Sequence, residues 1–292
     1  MTHLTPSRDG RLTRRAFVGA ATALVAAPAR TANRPFRFGL TPVFPDDERE
    51  LLDHLEEYIA GAIDSEVEFV QRRTYKEITA LLMLGDLDAA WLCGYPFLQY
   101  AAALEVLALP LWRGASRYRA YVIGAAGRDI GGLDALRGDI HAYSDPDSNS
   151  GYLVTVSELV DRGERPEEFF ARSFFTFGHS NVVQAVARGL ADSGSVDGYV
   201  WEVLAARRPE LTARTKILWR SDWFGFPPIV TRRQRPAQGA TETLAAALRA
   251  MPRDPLGRRT LKLLHLDGFA PAQGADFSGI AARMRMLGER EE

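Results

Sequence analysis

The residues best suited to chemistry are gathered in one short run, Ser144-Asp145-Pro146-Asp147-Ser148-Asn149-Ser150-Gly151-Tyr152. It follows Ile140-His141-Ala142-Tyr143, which reads as a strand end, and precedes residues 153–160, which read as the body of a helix. A strand, a tight turn and a helix start rich in Ser and Asn bring free backbone N–H groups and small hydroxyls to one point. The first N–H groups of a helix have no internal partner, and the macrodipole places partial positive charge there. The arrangement therefore suits a tetrahedral oxyanion. Pro146 fixes the turn, and Ser148 or Asn149 can cap the helix. The same residue types cap ordinary helices, so the rest of the chain must decide between a plain cap and a binding site.

Other chemistries find little support. The five histidines (3, 54, 141, 179 and 265) show no HExxH and no His/Cys spacing for a metal. There is no G-x-S-x-G elbow and no G-x-x-x-x-G-K phosphate loop. We therefore expect no catalysis, no metal and no cofactor. Cys93 is the only cysteine, so no internal disulfide can form and the core must be stable by packing alone.

The N-terminus reads as an export signal. Thr13-Arg14-Arg15-Ala16-Phe17-Val18 is similar to a twin-arginine motif, and the uncharged run 16–27 behind it leads to Ala27-Pro28-Ala29, small residues suited to cleavage. That run is short of the ~20 apolar residues that span a bilayer. Residues 1–29 are expected to be a signal peptide cleaved near Ala29, leaving a soluble periplasmic protein. The signal carries Arg8, Arg11, Arg14 and Arg15 with Asp9, so its removal takes the net charge from −1 to about −4. A weakly acidic chain without basic runs is a poor nucleic-acid binder.

The elements that must position the run form two series. Residues 36–40 alternate toward a strand, and 47–63 carry apolar residues at helical spacing. Residues 67–70 are a second strand, 75–84 a helix stopped by Gly85, and 88–92 a third strand leading to Cys93-Gly94-Tyr95-Pro96. A second series begins at 118–125 and runs through 139–143, the helix after Ser150, strand 174–177, helix 180–190 and strand 196–200. Strands alternating with helices predict an α/β fold with parallel sheets covered on both faces. Two series joined near 114–117 and rejoined near 221–228 predict two lobes with a cleft between them. Parallel sheets bind ligands beyond the carboxyl ends of their strands. Tyr75, Tyr95, Ser148–Ser150 and His179 all fall at such ends, which raises the run above an ordinary cap.

In this order the chain resembles the phosphonate-type periplasmic solute-binding proteins, which deliver phosphonates, phosphite or related anions to ABC importers. The features are Arg73-Thr74-Tyr75 before a helix, Gly85 to Trp91 into a strand, Ser144 to Gly151, Gly178-His179-Ser180 before the next helix, and Val196-Asp197-Gly198. The resemblance covers roughly residues 36–235. It implies a two-lobed type II periplasmic-binding-protein fold, each lobe a mainly parallel sheet flanked by helices, with lobe 1 at 34–117 and 224–292 and lobe 2 at 118–223. It also implies that Ser148, Asn149, Ser150, Tyr75, Tyr95 and His179 cage the anion. His179 would donate a ring N–H, more strongly as imidazolium. Asp197 is expected as a turn or supporting acceptor, with Tyr199 as a further candidate. The implied partners are a small oxyanion and an ABC permease, with the protein itself a monomer. An alternative rests on Cys93, at a strand end beside the cleft. Periplasmic arsenite sensors, which resemble the same family and partner membrane histidine kinases, use a pocket cysteine as a soft ligand.

Overall fold

A computed structural model describes residues 34–42, 49–129, 131–234 and 238–288. The export signal predicted at 1–29 lies outside them. Eleven strands among the described residues form two sheets. The first holds β1 (Phe36–Leu40), β2 (Val67–Gln71), β3 (Ala89–Trp91), β4 (Leu104–Leu111), β10 (Ile229–Arg232) and β11 (Gly268–Ala270), in the order β11-β4-β10-β3-β1-β2. The second holds β5 (Arg117–Ala125), β6 (Ile140–Tyr143), β7 (Arg172–Phe175), β8 (Ser193–Asp197) and β9 (Thr215–Gly225), in the order β7-β6-β8-β5-β9.

Neither sheet is mainly parallel, which corrects the expectation. β1 pairs parallel with β2 and β3, and β6 with β7 and β8, where helical crossovers return the chain to the same end. The remaining pairs are antiparallel: β10 with β3 and β4, β11 with β4, and β5 with β8 and β9. The chain crosses between the sheets from β4 to β5 and again from β9 to β10. A strand that arrives directly from the other sheet is not turned around by a helix, so its pairing need not be parallel.

These two crossings lie side by side. Trp112 and Ala115 exchange backbone hydrogen bonds in the turn before β5, and Phe226 N–H donates to the Ser116 carbonyl at 3.0 Å. Tyr199 packs between Trp112 and Phe226, with ring centroids 5.8 and 5.1 Å away. A third link is the helix Ser278–Met286. Phe277, at its start, meets Phe97 of the helix Gly94–Gln99 at 5.1 Å, while Arg283 forms an ion pair with Glu158 of the helix Val154–Asp161.

The helices that matter begin at the ends of strands. Thr74 caps the helix Tyr75–Leu84 through a reciprocal capping box with Glu77, and Gly85 ends it with φ 88°, a conformation that glycine adopts without steric cost. Asp197 ends β8 and caps the helix Gly198–Arg207, accepting N–H bonds from Tyr199 at 2.8 Å and Val200 at 3.3 Å. No helix of the described residues is long and apolar enough to cross a membrane.

Candidate functional site

Helices starting at the ends of β6, β7 and β8 in one lobe face the start of the helix Tyr75–Leu84 in the other. After β6, Ser148 N–H closes the turn on the Asp145 carbonyl, and its hydroxyl caps Gly151 N–H at 3.0 Å. Leu153 N–H reaches back to the Ser148 carbonyl, so the helix opens with a wide π turn over Asn149–Leu153. Such turns are rare and often accompany function. Gly151 is required here: a Cβ at this position would lie 1.7 Å from Ser144 Oγ and 2.9 Å from Ser148 Oγ. Two serine hydroxyls therefore close over a single glycine at the helix start. Ser144, Ser148, Asn149 and Ser150 are all buried.

Tyr75 is the first residue of its helix and belongs to the other lobe. Its backbone N–H donates to Asp145 Oδ2 at 3.2 Å, placing a carboxyl on the positive end of that helix. Its hydroxyl lies 3.1 Å from His179 Nε2. His179 Nδ1 in turn accepts Asp197 N–H at 3.1 Å. That bond fixes the tautomer: Nδ1 carries the lone pair, so Nε2–H donates to the Tyr75 hydroxyl. The Tyr75 proton is then free to be donated elsewhere.

This geometry corrects one expectation. Both ring nitrogens of His179 are engaged by the protein, and burial lowers its pKa to about 3. It is a neutral imidazole that orients Tyr75, and no imidazolium is available to an anion. Burial also raises Asp197, to about 7, against the two N–H bonds that stabilise its charge. Asp145 is raised for the same reason.

Cys93 is buried immediately before the helix Gly94–Gln99. Its Sγ accepts Asn149 N–H at 3.3 Å, a bond between the two lobes at the start of the serine-rich helix. Burial pushes the thiol up to about 12 against the N–H bonds from Asn149 and Tyr95. Tyr95 is itself buried, in the helix Gly94–Gln99. Tyr199 points elsewhere: its hydroxyl donates to the Leu264 carbonyl and its ring belongs to the packing beside the crossings. At the mouth, the Arg73 guanidinium stacks over Phe177 at 4.6 Å, and Phe177 adopts φ 55°. That left-handed conformation is costly for an aromatic residue and is found where surrounding contacts impose it.

Direct hydrogen bonds thus join Tyr75, His179 and Asp197 in one chain and Cys93 with Asn149 in another, with Ser148 and Ser150 on the same helix start as Asn149. Three participants were missed in the sequence. Tyr118 of β5, fully buried, accepts Asn149 Nδ2–H at 2.9 Å. Ser144 lies over Gly151, and Asp145 bridges the lobes. Ser144 and Asp145 stand within the run itself but were not singled out as site residues, whereas nothing around Tyr118 marks it in the sequence. Asn149 Oδ1, Ser144 Oγ and Ser180 Oγ are buried and find no hydrogen-bond partner among the described residues. Polar atoms left this way in a packed interior are costly unless a ligand or water meets them. No group of three or more metal-binding side chains occurs among the described residues.

With this geometry in hand, comparison with known proteins is decisive for the family. Residues 38–277 match the family model described as the phosphonate periplasmic substrate-binding protein of ABC transporters. The chain belongs to that family. A phosphate-import protein, PhnD, of Mycolicibacterium smegmatis is 27% identical over 191 residues, covering 60% of this chain and 59% of the relative. The match thus spans less than two thirds of that relative's length. The PhnD1 protein of Prochlorococcus marinus, solved with methylphosphonate, superposes with a TM-score of 0.75 at 17% identity, over 87% of this chain and 98% of that one. A binding-protein component of an ABC phosphonate transporter from Pseudomonas aeruginosa gives 0.74 at 20% identity, over 81% of each chain. At these identities the solved structures establish the fold, and the type II periplasmic binding protein architecture is the one observed.

Proposed function

We propose that this protein captures a small phosphorus oxyanion, a phosphonate, phosphite or phosphate, outside the cytoplasm and delivers it to an ABC importer. The observation that carries the reading is the helix start at Ser148–Gly151, roofed by buried serine hydroxyls and faced across the cleft by Tyr75, whose proton His179 leaves free. Backbone and hydroxyl donors at a helix N-terminus are what a tetrahedral oxyanion needs. Membership of the family, and the phosphate- and methylphosphonate-related names of the relatives, support the same ligand class.

Ser148, Asn149, Ser150, Tyr75 and Tyr118 are the proposed ligand contacts, with His179 and Asp197 holding them in place and Tyr95 lining the wall. The lobes, 34–117 with 224–292 and 118–223, close about the crossings near 114–117 and 221–228, as hinged binding proteins do. Residues 1–29 direct export and are removed near Ala29. The mature protein acts as a monomer with a membrane permease, and it turns nothing over. The thiol of Cys93, held protonated by burial, offers no thiolate to a soft metalloid, so transport is better supported than arsenite sensing.

Calorimetry of the mature chain against phosphate, phosphite, methylphosphonate, sulfate and arsenite tests the reading. Micromolar or tighter binding of a phosphorus oxyanion, about −8 kcal/mol, is expected. No heat with any phosphorus oxyanion would refute it.

A further inference from the structure

The cleft is built from neutral donors and acids. No lysine or arginine is among the buried residues of the described chain. The cation at the mouth, Arg73, is exposed and stacked on Phe177. His179 is neutral and its nitrogens are engaged. Facing the site from each packed element are Tyr75, Cys93 and Tyr95 from the first lobe and Tyr118, Asp145, His179 and Asp197 from the second. Asp147 and Glu77 lie behind Asp145. Asp197 is within electrostatic reach of the Tyr75 and Tyr118 hydroxyls and of the Cys93 thiol, as Asp145 is of Tyr75 and Cys93.

Two features weigh against a fully ionised oxyanion here. A dianion would enter a low-dielectric site beside acidic groups with no buried cation to offset it. The site also presents acceptors: Asn149 Oδ1 finds no partner among the described residues while its Nδ2–H is held by Tyr118, and Asp197 is a buried carboxyl. An acceptor facing a fully ionised oxygen has nothing to accept. A ligand that retains one acidic hydrogen satisfies the acceptor and lowers its own charge in a single contact.

We infer that the site takes its oxyanion in the singly protonated form, the ligand's own hydroxyl donating to Asn149 Oδ1 or to the Asp197 carboxyl. This rests on the oxyanion reading above and narrows it: phosphate and alkylphosphonates, which keep a titratable hydrogen near neutral pH, are selected, and sulfate is rejected on protonation even though it is tetrahedral. The second ionisation of a phosphoryl group lies near pH ~6–7, so the discrimination operates in the range where these anions change charge. Burial that raises Asp197 toward the same range supports the sharing of one hydrogen between ligand and protein.

The test is calorimetry of the mature chain with phosphate, methylphosphonate and sulfate from about pH 5.5 to about pH 8.5, in buffers of different ionisation enthalpy. We expect uptake of close to one proton per bound phosphate above the ligand's second ionisation. Kd should then rise about tenfold per pH unit. Sulfate separates the two places the hydrogen could reside. Were it only on Asp197, sulfate would bind once that carboxyl was neutral at low pH. Sulfate binding within about tenfold of phosphate, or a flat phosphate Kd with no proton uptake, overturns the inference. Silence with both phosphorus ligands at every pH overturns the oxyanion reading itself, and the inference with it. Asp197→Asn removes the charge and keeps a side-chain oxygen to cap Tyr199 and Val200. It should tighten phosphate at the alkaline end by removing a like charge, while the tenfold rise in Kd per pH unit persists, because that rise is set by the ligand's own ionisation. A pH dependence lost in this variant would place the hydrogen on Asp197 and overturn the inference.

Discussion

Tyr75→Phe isolates a buried side-chain pair that connects the lobes through a hydroxyl. His179 Nε2–H donates to that hydroxyl at 3.1 Å, and both side chains are buried. Removing the oxygen leaves a buried imidazole N–H with no acceptor, a cost of about 1–3 kcal/mol. It also removes the proton that Tyr75 offers the anion, a charge-assisted bond contributing about 1.5–3 kcal/mol. With the hinge motion proposed above, water meets both groups when the lobes part, so the loss falls on ligand binding and not on folding. The two effects share one atom and do not add fully. We expect a net loss of about 2–4 kcal/mol, a thirty- to thousandfold rise in Kd. Calorimetry of Tyr75→Phe, His179→Ala and the double variant forms a cycle whose coupling should exceed about 1 kcal/mol. Thermal melts without ligand should stay close to wild type. A Kd within threefold of wild type, or a coupling near zero, would refute the placement of this pair at the ligand.

Gly151→Ala should abolish measurable binding and lower stability by about 1–3 kcal/mol, because its Cβ would sit 1.7 Å from Ser144 Oγ; calorimetry and denaturant titration read both effects. His141 is buried against Phe170 at 4.3 Å between Ser193 and Ser195, and its pKa is lowered from 6.5 to about 3. The unfolded chain takes up that proton first, so the group is neutral in its effect above pH 6.5, and each unit of acidification below costs about 1.4 kcal/mol until the folded pKa is reached. A His141→Gln variant should therefore show a shallower loss of stability than wild type in urea titrations over that window. Arg73→Ala removes the stacking over Phe177 at the mouth, worth about 0.5–1 kcal/mol, and should raise the ligand off-rate two- to fivefold in stopped-flow measurements. Cys93 should resist alkylation, and saturating phosphate should slow the reaction further, since the thiol is reached only when the Asn149 contact opens.

What the sequence made legible was local. The helix Tyr75–Leu84 ends in the structure where Gly85 stops it, since that signal acts within one turn. The start at Ser148–Gly151 was visible because turn and cap chemistry are written in neighbouring residues. Strand β4 was not, and neither were the antiparallel places of β4, β10 and β11, because those pairings are set by strands far apart in the chain. The same reason hid the chemistry of His179. Its residue type and place suggested a donor to an anion, but its partners are Tyr75, 104 residues away, and the backbone of Asp197. Only the folded chain shows that the imidazole is spent on orienting a tyrosine. Tyr118 carries no local mark at all, and it enters the site because β5 runs from the crossing directly under Asn149.

The site can hold an anion without a buried cation because its positive potential is distributed. Tyr75, Asn149 and His179 each open a helix, and Asp197 caps another, so four N-termini point toward the same cleft. Each contributes roughly half an elementary charge at its end. Two of these ends are already engaged by the protein's own acids, Asp145 across the lobes and Asp197 within its own cap. Of the other two ends, the one at Asn149 gives its first N–H to Cys93 Sγ and its third to Ser148 Oγ, so the positive potential left for a ligand is at most about one charge. A singly charged oxyanion matches that remainder, and a dianion exceeds it. The contacts that cross the cleft follow the same logic: Tyr75 to Asp145, Tyr75 to His179 and Asn149 to Cys93 all join a helix start in one lobe to a group in the other. Under the proposed hinge motion, bringing the lobes together assembles this potential as it excludes water, and the ligand's charge decides how far that is favoured.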